Sequence, residues 1–177
     1  MFTKLNHSFV KPLYVTTHGL NTFTGVNDKG IDYKKIWSPE SDELYKLIPK
    51  KYWEDFYLTV MTINRNIPAH TDSDIFTTIN FYLETDECET VFYEPIVDNL
   101  EKIQIQNQTN GFIYKEEQLK PVGSFVANPM DIWVLNVKKI HGVNTTKESV
   151  KRRAVTLHTK IHEYAVVCDM LKETGYL

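Results

Sequence analysis

Two cysteines in 177 residues, Cys88 and Cys168, are too few to staple a fold. Each reads as a small buried apolar side chain, and the pair suits a reducing, cytoplasmic setting. Long apolar runs are missing too. No stretch of the sequence approaches the ~20 residues that a spanning helix needs, so no membrane partner is expected. The opening residues, Met1 to His7, lack the apolar centre of a secretory signal. A one-sided charge is also absent. Twenty Lys and Arg stand against 23 Asp and Glu, a net charge of -3. That balance generates no overall field to gather nucleic acid or anionic lipid. No repeat, linker or low-complexity segment interrupts the chain, which points to a single domain over residues 1–177.

What is present favours strands. Hydrophobic residues make up 42% and aromatics 12%, with ten Tyr and nine Phe. Such side chains pack well on a pleated, half-buried surface. Residues 1–56 read as a strand or two with loops, then a helix. Ser38 is placed to cap that helix and Pro39 to open its first turn, with acidic residues following where the helix dipole favours them. It should run through Leu47 and stop before Pro49. From Phe56 onward strand-like runs recur: 56–63, 74–83, 89–93, 102–106, 112–114, 124–127, 131–135 and 153–158. Asn110-Gly111 is a hairpin turn signal between two of them. A small helical section followed by many short strands predicts a mainly β fold with a few helices, of the sandwich, jelly-roll or barrel kind.

Four residues carry chemistry. His70 and Asp72 stand two apart in an extended segment, so an imidazole and a carboxylate share one face. His141 lies beyond the run containing Trp133 and Leu135 and supplies a second imidazole. Two histidines and one carboxylate form a facial triad that leaves iron(II) positions open. Arg153 opens the strand Ala154-Val155-Thr156-Leu157. Successive strand residues face opposite sides, so only one of Arg152 and Arg153 should enter the core. Sharing a face with Val155 and Leu157 selects Arg153, and an inward arginine needs an anionic partner.

The order His70-Thr71-Asp72, then His141, then Arg153 at a strand start resembles the Fe(II)/2-oxoglutarate-dependent oxygenase superfamily, in its prolyl hydroxylase-like branch. The likeness covers about residues 57–160. It includes Thr78-Ile79-Asn80-Phe81-Tyr82-Leu83, Glu89-Thr90-Val91-Phe92-Tyr93, and the Pro121- and Gly123-marked approach to the later strands. Two departures are visible: Glu84 stands where the family often has Asn, and Glu87-Cys88 where it has a glycine pair. The resemblance implies a double-stranded β-helix, or jelly roll, with Fe(II) held by His70, Asp72 and His141. It implies 2-oxoglutarate and O2 as co-substrates, the far carboxylate of 2-oxoglutarate pairing with Arg153 and assisted by Tyr82. Asn80 and Thr78 would line the pocket. The implied activity is hydroxylation of a C–H bond, with a prolyl residue of a protein or peptide as one candidate substrate and a small metabolite as another. Two other readings stand beside it: a jelly-roll binding module without turnover, and a cupin-like metalloenzyme that does not use 2-oxoglutarate. Lys138, Lys139, Lys147, Lys151 and Arg152 form a candidate basic rim, which leaves an acidic protein or nucleic acid open as a partner.

Overall fold

A computed structural model describes residues 1–5, 31–35, 42–72, 74–104 and 111–177. Twelve strands are among them: β1 (Phe2–Lys4), β2 (Ile31–Lys35), β3 (Phe56–Ile63), β4 (Ile67–Asp72), β5 (Thr77–Glu84), β6 (Glu89–Pro95), β7 (Lys102–Gln104), β8 (Gly111–Tyr114), β9 (Leu119–Val126), β10 (Ile132–Asn136), β11 (His141–Asn144) and β12 (Arg152–Thr159). A short helix α1 (Asp42–Tyr45) precedes β3, and a longer one, α2 (Tyr164–Glu173), closes the chain.

The strands form two six-stranded antiparallel sheets. One runs β1-β10-β5-β12-β3-β2 and the other β7-β8-β4-β11-β6-β9. In chain order β3, β4, β5 and β6 alternate between the sheets. So do β9, β10, β11 and β12. That winding gives two facing four-stranded sets, β10-β5-β12-β3 and β4-β11-β6-β9, and it is a double-stranded β-helix. The mainly β, jelly-roll expectation matches this architecture.

The first sheet is buried on both faces, and this fact decides where the site forms. On β5 every residue from Thr77 to Tyr82 is buried. Its odd residues Ile79 and Phe81, with Val155, Leu157 and Leu58, pack outward against Leu44, Leu47, Ile48, Val167 and Leu171. Its inward residue Tyr82 packs instead with Met61, Ile63, Ile67, Phe92, Phe125, Leu135, Val143 and Ala154 between the sheets. The two helical regions thus cover the outer face, α2 with the larger share, while the second sheet covers the inner.

That covering helix, α2, has no counterpart among the sequence expectations, which placed helix only near the N-terminus. Its buried residues Val167, Cys168, Met170 and Leu171 follow the spacing of one helical stripe. It ends on Gly175, whose φ of 81° lets the backbone turn left-handed while Tyr176 N–H bonds Leu171 O at 2.8 Å. The Thr174 hydroxyl donates to Leu47 O at 2.7 Å and ties the two helical regions together. Among the described residues the expected N-terminal helix is present as the four residues of α1. Its proposed capping residues Ser38 and Pro39, and the Asn110 half of the hairpin turn, lie outside the described residues; β7 and β8 do pair as that hairpin requires. Pro121 lies inside β9, which is tolerated because β9 is an edge strand. No helix among the described residues is long and apolar enough to cross a membrane.

Candidate functional site

β4 and β11 were not expected as strands, because Pro68 and Gly142 break the apolar alternation of each. Both breaks are used. In the antiparallel pair, His141 sits opposite His70 while Val143 sits opposite Ile67, so Pro68 and Ala69 bulge across from Gly142 alone. The bulge changes the parity of β4, and Ile67 and His70 both line one pocket. It also presses the two backbones together. A Cβ on Gly142 would lie 2.8 Å from Ile67 O, so only glycine fits there. Opposite Asp72 stands Gly111, where a Cβ would lie 2.1 Å from Thr71 O.

His70 and His141 are therefore direct cross-strand neighbours, with ring centroids 4.3 Å apart. Each ring is oriented by its own strand. His70 Nδ1 is 2.8 Å from Pro68 O and His141 Nδ1 is 2.9 Å from Lys139 O. A carbonyl can only accept, so Nδ1 carries the hydrogen in both neutral rings and the lone pair is on Nε2. His70 Nε2 lies 3.8 Å from Asp72 Oδ1. Phe92 stacks on His141 at 5.7 Å. All three polar side chains are buried. Tyr57 is close by; burial first, then the charges of Asp72 and Asp74, pushes its phenol up to about 12. Among the described residues no set of three or more His, Cys, Asp or Glu side chains is drawn up as a finished metal cage.

The same pocket contains an arginine, and it is Arg152. The expectation that Arg153 faces inward is corrected here. Arg153 does share a face with Val155 and Leu157, but that face is the outer one, under the helices. Arg153 bonds through Nε to Glu84 on β5. Arg152, on the opposite face, is 1% exposed and lines the cavity with His70, Asp72, Thr78, Asn80, Tyr82, Thr90, His141 and Thr156. Two buried faces on one strand made burial a poor guide. A better signal was the polar parity of β12: Arg152, Thr156 and His158 alternate with Val155 and Leu157, and the polar side is the pocket side.

Arg152 Nη2 donates to Tyr82 Oη at 2.9 Å and to Thr90 Oγ1 at 2.6 Å. Asn80 Nδ2 also donates to Tyr82 Oη, at 3.3 Å. With two donors on its oxygen, the phenol has its own hydrogen left to give. Among the described residues, Arg152 Nε and Nη1 are buried without a hydrogen-bond partner, as are Asn80 Oδ1, Thr78 Oγ1 and Thr156 Oγ1. The pocket thus has an imidazole and carboxylate group and an unfilled guanidinium group. It brings together six of the seven residues expected from sequence (His70, Asp72, His141, Tyr82, Asn80 and Thr78) and excludes Arg153. Thr90 and Thr156 were missed, having no motif around them. The cavity itself is about 40 Å³.

One polar group deeper in the barrel is sealed off. His158 is 1% exposed, with Nε2 2.6 Å from Thr59 Oγ1 and its ring stacked on Tyr57 at 5.0 Å. Burial, assisted by the charge of Lys160, lowers its pKa to about 3. It is a neutral core histidine.

No protein-family model matches the chain, and no curated protein matches it in sequence. Solved structures with a similar outline exist. They include oxalate oxidase in complex with the substrate analogue glycolate, at 11% identity, covering 94% of this chain and 80% of that one, TM-score 0.43. A cupin-like protein from Thermotoga maritima shows 7% identity over 75% of this chain and 70% of that one, TM-score 0.37. Peruvianin-I, a cysteine peptidase from Thevetia peruviana latex, shows 9% identity over 77% of this chain, TM-score 0.39, and the chain spans 66% of its length. Likenesses this loose say nothing about chemistry, which rests on the pocket.

Proposed function

We propose that this chain is an Fe(II)- and 2-oxoglutarate-dependent oxygenase in which Arg152, not Arg153, anchors the co-substrate. The observation that carries the reading is Arg152 itself. A guanidinium that is 1% exposed, with Nε and Nη1 unpartnered, shares one pocket with His70, Asp72 and His141. A buried cation without an anion costs several kcal/mol. An anionic ligand removes that cost, and a carboxylate matches the planar guanidinium fork.

The donor set suits the metal. Two imidazoles protonated at Nδ1 offer Nε2, and Asp72 adds one negative charge. The carbonyls of Pro68 and Lys139 hold the tautomers, as partners of metal-bound histidines do. Bound Fe(II), with 2-oxoglutarate and O2, would supply the oxidising power to hydroxylate a C–H bond, leaving succinate and CO2. The chain's own part is to bind and exclude. Arg152 and the Tyr82 hydroxyl would hold the far carboxylate, and Asn80, Thr78 and Thr156 would hydrogen-bond polar atoms within the cavity. The apolar lining of Met61, Ile63, Leu135 and Val143 would keep bulk water out. The primary substrate would meet the metal at the pocket mouth, and a prolyl residue of a protein or peptide is the candidate. The two cysteines are buried and unpaired, in keeping with a reducing compartment that would spare a ferrous ion.

A second reading is favoured by one observation. The cavity of about 40 Å³ takes a few water molecules, and a five-carbon dicarboxylate enters only if the lining moves outward. A cupin-like site for a metal or a small anion, without 2-oxoglutarate turnover, would fit without movement. Succinate formation separates the two. With Fe(II), 2-oxoglutarate and O2 supplied, the wild type should release succinate, and Asp72→Ala or His141→Ala should reduce it to background. Iron binding without succinate, across a panel of peptide and small-molecule substrates, would favour the second reading.

A further inference from the structure

We propose that a one-residue bulge in β5 diverts Glu84 away from Arg152 and so keeps that arginine available to an anionic ligand. This rests on reading Arg152 as the anion anchor, and it deepens that reading.

The diversion is visible in the register of β5 against β12. Along β5 and β12, Thr156 pairs with Asn80, Val155 with Phe81 and Ala154 with Tyr82. Continued regularly, Arg153 would face Leu83 and Arg152 would face Glu84. Cross-strand partners share a face, so the carboxylate would stand beside Arg152 inside the barrel. The register shifts instead between Arg153 and Ala154, and Glu84 pairs with Arg153. Leu83 is the extra residue, and it packs outward against the helix-covered core. One inserted residue thus moves a carboxylate from the inner face to the outer.

The surrounding charges are matched on that outer side. Glu84 takes Arg153 Nε and, at 3.1 Å, Lys151 Nζ. Asp86 accepts the Lys151 backbone N–H at 2.6 Å and lies 3.8 Å from Lys147 Nζ. Asp86 and Glu87 have φ of 43° and 57°, which closes the turn that brings both carboxylates to this edge. Three cations at the head of β12 have carboxylate partners. Among the described residues Arg152 has no carboxylate partner; it bonds the hydroxyls of Tyr82 and Thr90 and lies over the Tyr82 ring. An internal carboxylate at that point would satisfy the guanidinium and compete with any ligand.

Glutarate, a dicarboxylate with no keto group to chelate iron, probes the anchor alone. Its stabilisation of the metal-free protein against heat reports binding by mass action. Deleting Leu83 should restore the regular register and weaken glutarate binding by roughly 10- to 100-fold. Adding Glu84→Gln to the deletion should recover it. If the deletion abolishes folding, Thr90→Asp, which sets a carboxylate on Arg152 directly, should lose glutarate binding while Thr90→Asn keeps it. A deletion variant that binds glutarate like the wild type, a rescue that fails, or equal binding by Thr90→Asp and Thr90→Asn overturns the diversion while leaving the oxygenase reading intact. A wild type that shows no glutarate response removes the anchor and the inference together.

Discussion

Arg152 and Arg153 are the same residue type one step apart, and the strand turns them to opposite fates. One pairs with Glu84 on the outer side of the sheet, and the other is buried with two nitrogens unfilled among the described residues. His158 shows the same economy on the same strand, since it is buried where no charge can be supported. Its pKa is lowered from 6.5 to about 3, so the unfolded chain takes up the proton first as pH falls. The stability that neutral His158 allows is therefore whole above about pH 6.5 and is lost progressively down to about pH 3. The full loss is on the order of 5 kcal/mol by linkage. Urea unfolding at pH 7.5 and pH 4.5 should show wild-type stability falling, and His158→Gln should fall less steeply. An unchanged slope in the variant would place the acid sensitivity elsewhere.

At the scale of elements, the site depends on two strands whose sequences look unlike strands. Pro68 and Gly142 spoil the alternation of β4 and β11, yet the bulge they build turns His70 toward His141. Gly142→Ala should push a methyl group against Ile67 O, 2.8 Å away. The expected cost is about 1–3 kcal/mol of stability, with a weaker metal affinity because His141 is the adjoining residue. Thermal melts and an iron titration would check both; unaltered values would mean the bulge relaxes freely. The strands that were legible, such as β3 and β5, are long runs of aromatic and β-branched residues. The His-X-Asp pair was legible because an extended backbone alone sets its common face. Arg152 was not, because β12 is apolar on one face and polar on the other while both are buried. Periodicity cannot say which buried face is the cavity. The helix α2 was missed for a related reason: its stripe of Val167, Met170 and Leu171 is short and follows a long β pattern.

For the whole molecule, the winding of β3–β6 and β9–β12 between two sheets brings residues from four strands to one interior. His70 and Asp72 come from β4, His141 from β11, Tyr82 from β5 and Arg152 from β12. The outer face of the first sheet is closed by α1 and α2, so the inner face is left for chemistry. On the proposed function, this interior holds a metal at one group of residues and a carboxylate at another. An anaerobic titration with Fe(II) and 2-oxoglutarate tests it most directly, through the visible charge-transfer band of a metal-chelated 2-oxo acid. The wild type should develop the band, and His141→Ala should not. Arg152→Gln should need roughly 10- to 100-fold more 2-oxoglutarate to reach it, while Arg153→Gln should stay close to the wild type. A folded wild type that binds iron but develops no band would rule out the paired metal and carboxylate sites, and an Arg153→Gln defect as large as that of Arg152→Gln would rule out Arg152 as the anchor.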